Sequence, residues 1–197
     1  MKQNKTQTLA QCAILVSLSF VLSYVRLITM PMEGSVTLMS MLPVMLIGIK
    51  FGLKWGIASS FCYAVLQLIQ SITVGGLFSW GLSPLSLIAC IILDYLLPFT
   101  LLGITGLVKN KTLFKIMASI IGAVFLRFIC HTVSGAVIFS IITKTVDIFS
   151  HSVTFTDSWL YSICYNGFYL APELILTLIG AYLLIKIPAA KRLLLEL

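Results

Sequence analysis

Stretches near twenty apolar residues recur along the whole chain, and no other feature constrains its fold as strongly. A helix rising about 1.5 Å per residue needs roughly 20 such residues to cross the hydrocarbon core of a bilayer. Inside that core every backbone N–H and C=O must be satisfied within the protein, so only helices and closed barrels cross it. Barrel strands alternate apolar and polar residues, whereas the runs here are continuous. Hydrophobic residues make up 59% of the 197 positions and charged ones 10%, against an apolar share of roughly 45–50% in soluble domains. The expectation is an all-α polytopic membrane protein, built as a single domain over 1–197.

Six spans are predicted, at 8–28, 38–49, 55–72, 85–108, 113–143 and 159–187. The second is short and contains Pro43. The first could pass for a signal peptide, but it lacks an A-x-A-like cleavage site and further spans follow at once, so it is read as retained. The net charge of +7 does not point to nucleic acid, because its distribution follows the membrane. Lys2, Lys5, Lys50, Lys54, Lys109, Lys111, Lys115, Lys186, Lys191 and Arg192 all fall on one side of an even number of crossings. Arg26 and Lys144, with the acids Glu33, Asp147 and Asp157, fall on the other. This is the positive-inside pattern, with both termini cytoplasmic. Cys12, Cys62, Cys90, Cys130 and Cys164 are scattered singly, without metal-ligand spacing, and read as small packing residues. No motif implies a metal or cofactor.

Ionisable groups within the spans are expensive and mark function by default. There are four: Asp94, Arg127, His131 and Glu173. Arg127 and His131 are four apart and share a helix face. Gly135 and Phe139 continue that face, with Ser134 beside it, and Gly135 leaves room for a ligand or another backbone. Pro98 has no N–H for the carbonyl of Asp94, and Pro172 has none for that of Phe168, just after Tyr161, Tyr165 and Asn166. Arg127 and Glu173 reach similar depths, which permits either a buried ion pair or ligand contacts. Tyr161 and Asn166 could equally bond helix to helix. A cavity with a carboxylate, an imidazole, an amide and aromatic rings suits a flat, polar, cationic heteroaromatic ligand, held by charge and cation–π attraction. Ala13 and Ser17 form a small-xxx-small pair for close helix approach, within the chain or to a partner.

Several runs resemble a known family. Met30-Pro-Met-Glu-Gly-Ser-Val-Thr-Leu38, Leu93-Asp-Tyr95, Arg127-x-x-x-His131-x-x-x-Gly135 and Tyr161-Ser-x-x-Tyr-Asn-Gly-x-Tyr-x-x-Pro-Glu173 are similar to the thiamine-specific S component of energy-coupling factor (ECF) transporters. The resemblance covers all six spans, and its last motif is the most specific. It implies an S-component-like bundle in a bacterial cell membrane that captures thiamine near the outer surface. It also implies partners: an ECF transmembrane subunit and two ATPase subunits. The family's ligand contacts carry over to Asp94, Tyr95, His131, Tyr161 and Asn166. Arg127 stands where some members have lysine, and Ala13 and Ser17 stand on the first helix where the family meets its transmembrane partner. Aspartate replaces the glutamate of some members at Asp94, and Gly34 and Phe139 replace tryptophans. Trp80 or Tyr63 could supply the missing rings, and a related pyrimidine or thiazole ligand stays open.

The chain has no G-x-x-x-x-G-K-[ST] phosphate loop, so concentrative uptake would need an external motor. Two rivals differ in class. One is a stand-alone proton-coupled carrier with Asp94, His131 and Glu173 as relay. The other is a membrane enzyme using His131 and Asp94 for acid–base work, which no nucleophile or metal cluster supports. The expectation is therefore no catalytic residues.

Overall fold

In lipid, apolar surface does not choose a partner, so helices associate where small residues allow close approach and where polar groups bond across the interface. Both devices organise this chain in the computed structural model, which describes residues 4–148 and 151–195. Lys2 lies outside the described residues. Among the described residues five helical stretches are long and apolar enough to cross a membrane: Lys5–Ser23, Leu53–Gly75, Pro84–Leu107, Leu113–Ile141 and Ser158–Lys186. The second predicted span is the short helix α2, Met41–Phe51. At about 1.5 Å per residue it falls well short of a ~30 Å hydrocarbon core.

Helix α2 is wrapped by its neighbours. Every residue from Met41 to Lys50 is buried, against α1 (Lys5–Ser23), α3 (Leu53–Gln70) and the fourth span. Glycine sets the spacing. A Cβ added at Gly56 would stand 2.6 Å from the carbonyl oxygen of Gly103, and one at Gly48 would stand 2.8 Å from the amide nitrogen of Gly106. Thr105 Oγ1 donates to the Met45 carbonyl at 2.9 Å, which ties the fourth span to α2. On the other side, the Val44 N–H donates to Ser19 Oγ of α1 at 3.0 Å. Pro43 sits in the first turn of α2, where a missing N–H costs little. Gly52, at φ 87°, makes the turn into α3.

The fourth span is not one regular helix. It runs as α4 (Pro84–Cys90), a π turn (Ile91–Leu96), α5 (Leu97–Thr100) and a 3-10 stretch (Leu101–Leu107). The π turn surrounds Asp94 and ends two residues before Pro98, which cannot close an ordinary α bond to the Asp94 carbonyl; within the turn the Leu97 N–H reaches the Ile92 carbonyl. Such turns recur at functional sites. Helices α6 (Leu113–Val137) and α7 (Ser158–Lys186) complete the bundle, and a short α8 (Pro188–Leu195) follows. Their starts are capped: Thr112 Oγ1 accepts from Lys115 N at 3.4 Å and Asp157 Oδ1 from Leu160 N at 2.7 Å. Pro172 is accommodated without breaking α7.

The connections at one end of the bundle depart from helix. β1 (Arg26–Thr29) and β2 (Ser35–Thr37) form one antiparallel hairpin, and β3 (Thr145–Ile148) and β4 (His151–Thr154) form another. At the opposite end, Lys50 Nζ donates to Gln11 Oε1 at 3.0 Å and Lys111 Nζ to the Lys50 carbonyl at 3.2 Å, so basic loops gather there. Cys12, Cys90 and Cys130 are buried in the packing, whereas Cys62 and Cys164 are exposed.

Candidate functional site

At the hairpin end of the bundle lies a cavity of about 110 Å³, far above the roughly 10–15 Å³ that one water requires. All eight residues expected to bind ligand line it: Asp94, Tyr95, Arg127, His131, Gly135, Phe139, Tyr161 and Asn166. They arrive from three spans. The π turn presents Asp94 and Tyr95, the shared face of α6 presents Arg127, His131 and Gly135, and the first turns of α7 present Tyr161 and Asn166. Phe139 follows α6 in a short 3-10 turn.

A chain of hydrogen bonds fixes the polar floor. Arg127 Nε donates to His131 Nε2 at 3.1 Å. A guanidinium N–H can only donate, so Nε2 is the acceptor and the ring proton lies on Nδ1. That nitrogen donates to Asp94 Oδ1 at 2.9 Å, and Ser134 Oγ donates to Asp94 Oδ2. Each carboxylate oxygen keeps acceptor capacity toward the cavity. Asn166 Nδ2 donates to the His131 carbonyl at 3.2 Å and to Ser162 Oγ at 3.1 Å, while its Oδ1 accepts from Tyr169 Oη at 3.0 Å. Gly135 is required here, because a Cβ would overlap the Ser162 hydroxyl.

Arg127 and Glu173 do not form an ion pair; among the described residues the bridge within 4 Å is His131–Asp94. Each is satisfied elsewhere. The Arg127 guanidinium lies 4.1 Å from the centroid of Phe99, with Nη1 2.9 Å from Met41 Sδ. Glu173 accepts from the Thr37 N–H and the Thr37 hydroxyl, both at 2.5 Å, and from Ser40 Oγ at 3.5 Å. It clamps the base of the first hairpin while lining the cavity.

The aromatic walls come from residues that sequence reasoning only partly found. Trp80 packs edge-on against Phe139 at 5.6 Å, and it lines the cavity, as does Tyr63. Tyr161, Tyr165 and Tyr169 form a ladder on α7, with successive centroids 6.0 and 5.9 Å apart, and Tyr169 meets His131 at 6.2 Å. Their spacing of four was a readable signal, since it puts all three on one face. Tyr165 also explains Gly34: a Cβ there would stand 2.6 Å from its phenol oxygen. That phenol accepts from the Gly34 N–H at 3.2 Å and donates to the Pro31 carbonyl. Glu33 had no sequence signal as a cavity residue, yet its carboxylate accepts from Tyr95 Oη at 2.9 Å and Ser71 Oγ at 2.5 Å.

The model of the family described as thiamine transporter protein matches residues 9–192. The chain belongs to that family. It is 32% identical over 190 residues to the thiamine transporter ThiT of Bacillus subtilis (strain 168), covering 89% of this chain and 88% of that one. A solved structure of ThiT from Listeria monocytogenes superposes with a TM-score of 0.69 at 20% identity, covering 95% of this chain and 98% of that one, so the two share a fold. The chain is thus a multi-pass membrane protein of a transporter family, which is not a family of enzymes. Among the described residues no group of His, Cys, Asp and Glu is placed to hold a metal.

Proposed function

We propose that this chain is the thiamine-binding S component of an ECF-type importer, taking the vitamin into this cavity from outside. The observation that carries the reading is Asp94. It is a carboxylate within a membrane span, held in position by His131 and Ser134, beside a cavity walled by tyrosines, Trp80 and Phe139. A fixed anion among aromatic faces is complementary to a flat cation such as a thiazolium. The first hairpin roofs the site, and Tyr165 and Glu173 anchor it, so closure over a bound ligand is a movement of that hairpin.

Delivery by an ATP-driven module rests on α1. Ala13 and Ser17 are both exposed, while the buried stripe of the helix is Thr8, Cys12, Val16, Ser19 and Ser23. A small-residue notch on an outward face suits the close approach of a partner helix. The gathered lysines support an orientation with both termini cytoplasmic and the hairpins outside.

The test is titration of the purified protein with thiamine and with its separate pyrimidine and thiazole halves. Thiamine binds most tightly. Asp94→Ala and His131→Ala each weaken it by about 30-fold or more, the loss of a buried charge-assisted contact. Binding of a single half as tightly as the whole vitamin would instead assign the site to a precursor. Uptake in cells lacking any ATPase module would assign the chain to the stand-alone carriers.

A further inference from the structure

Asp94 and Tyr95 are adjacent on the π turn but send their side chains to two different polar clusters in the same cavity. Asp94 goes to His131 and Ser134; Tyr95 goes to Ser71 and Glu33. The second cluster is short of a proton. Glu33 Oε2 accepts from Ser71 Oγ at 2.5 Å and from Tyr95 Oη at 2.9 Å, and the two hydroxyl oxygens are themselves 2.7 Å apart. Two hydroxyl protons cannot fill three such contacts around a carboxylate. A donor from the cavity would find acceptors waiting there.

A second, independent feature lies alongside. Gln70, next to Ser71 in sequence, is 3% exposed and lines the cavity. Its Oε1 accepts from Ser23 Oγ at 3.1 Å, but its Nε2 is buried with no hydrogen-bond partner. Gln67, one turn earlier on α3, likewise lines the cavity with an unpartnered Nε2. Buried donors of this kind are costly unless something accepts from them. The region therefore offers acceptors in need of a donor and donors in need of an acceptor. A neutral hydroxyl is both at once.

We propose that Glu33, with Tyr95, Ser71 and Gln70, is a specificity-determining subsite that takes a primary alcohol on the ligand and rejects phosphate esters of that alcohol. This rests on reading the cavity as the thiamine site, since thiamine carries one such alcohol. A phosphate ester could accept from Gln70, but it would bring negative charge against Glu33 and no donor for it. Like charges in contact disfavour the ester relative to the alcohol.

The experiment measures binding of thiamine and thiamine monophosphate to the wild-type protein and to Glu33→Gln, Glu33→Ser and Gln70→Leu. The wild type prefers the alcohol. Both Glu33 variants shrink the ratio of affinities, alcohol over phosphate, by on the order of tenfold. Gln70→Leu weakens both ligands alike and leaves the ratio in place. An unchanged ratio in a Glu33 variant that still binds thiamine would overturn the subsite and leave the site reading intact. So would a Glu33 variant that stays folded, by its melting profile without ligand, and binds neither compound. A wild-type protein that binds neither removes the thiamine reading itself, and the subsite with it.

Discussion

Glu173 shows how a membrane-depth acid can serve the architecture of a site. Its side chain is 3% exposed, and its two oxygens accept from the Thr37 backbone, the Thr37 hydroxyl and Ser40. Thr37 ends β2 and Ser40 precedes α2, so one carboxylate joins the hairpin, the start of α2 and the middle of α7. Glu173→Ala leaves those donors buried and unmet. The expected cost is about 2–3 kcal/mol, read as a lowered melting temperature in detergent without ligand. Binding should weaken as well, because the hairpin loses its base. Sequence alone saw Glu173 and Arg127 at matching depth and allowed a pair between them. The structure separates them because each finds partners that depth cannot reveal: hydroxyls and an N–H for the acid, a phenyl face and a thioether for the guanidinium. The stripe Arg127, His131 and Gly135, by contrast, was readable in full, since a helix fixes which side chains share a face.

Between elements, glycine decides the geometry. The meeting of α2, α3 and the 3-10 part of the fourth span depends on Gly48, Gly56 and Gly103, where an added Cβ would stand under 3 Å from facing backbone atoms. Backbone gives way less readily than the end of a flexible side chain. Gly103→Ala should therefore destabilise the bundle by roughly 1–3 kcal/mol through overpacking, while Gly122→Ala, with open space at its Cβ inside α6, should raise the melting temperature slightly, because alanine suits a helix interior better than glycine. Matched thermal unfolding of the two variants checks this. The helices of the spans were legible because apolar runs and capping residues are local signals. Both hairpins were not. Residues 26–28 were read as the end of the first span, which the structure ends at Ser23, and 29–37 and 144–158 as plain outer connections. Strand pairing there is set by what the hairpins lie against, and three non-glycine residues, Met32, Glu33 and Met39, adopt positive φ, which no propensity anticipates. Glu33 was lost to the sequence reading for the same reason: with a left-handed backbone, an acid of the first hairpin lines the cavity.

At the scale of the whole molecule, the two ends of the bundle are unlike. One carries the cavity and both hairpins; the other gathers Lys50, Lys54, Lys109, Lys111 and Lys115 around short turns. Between them α1 offers a continuous outward face, with Leu9, Ile14, Leu18 and Val21 well exposed and Ala13 and Ser17 as a notch among them. None of these six lines the cavity. On the proposed reading, capture and delivery occupy separate surfaces of the protein, and the separation is testable. In the double variant Ala13→Leu, Ser17→Leu, the added side chains point away from the chain's own packing, so the fold and thiamine affinity should stay at wild-type values. A helix that must approach the notch closely would be held off by bulk at two positions one turn apart. The expected result is normal binding by the purified variant, loss of co-purification with the ECF subunits, and loss of ATP-dependent uptake in cells. Uptake at the wild-type rate would move the docking surface off α1, and a parallel loss of binding would show that the notch shapes the cavity after all.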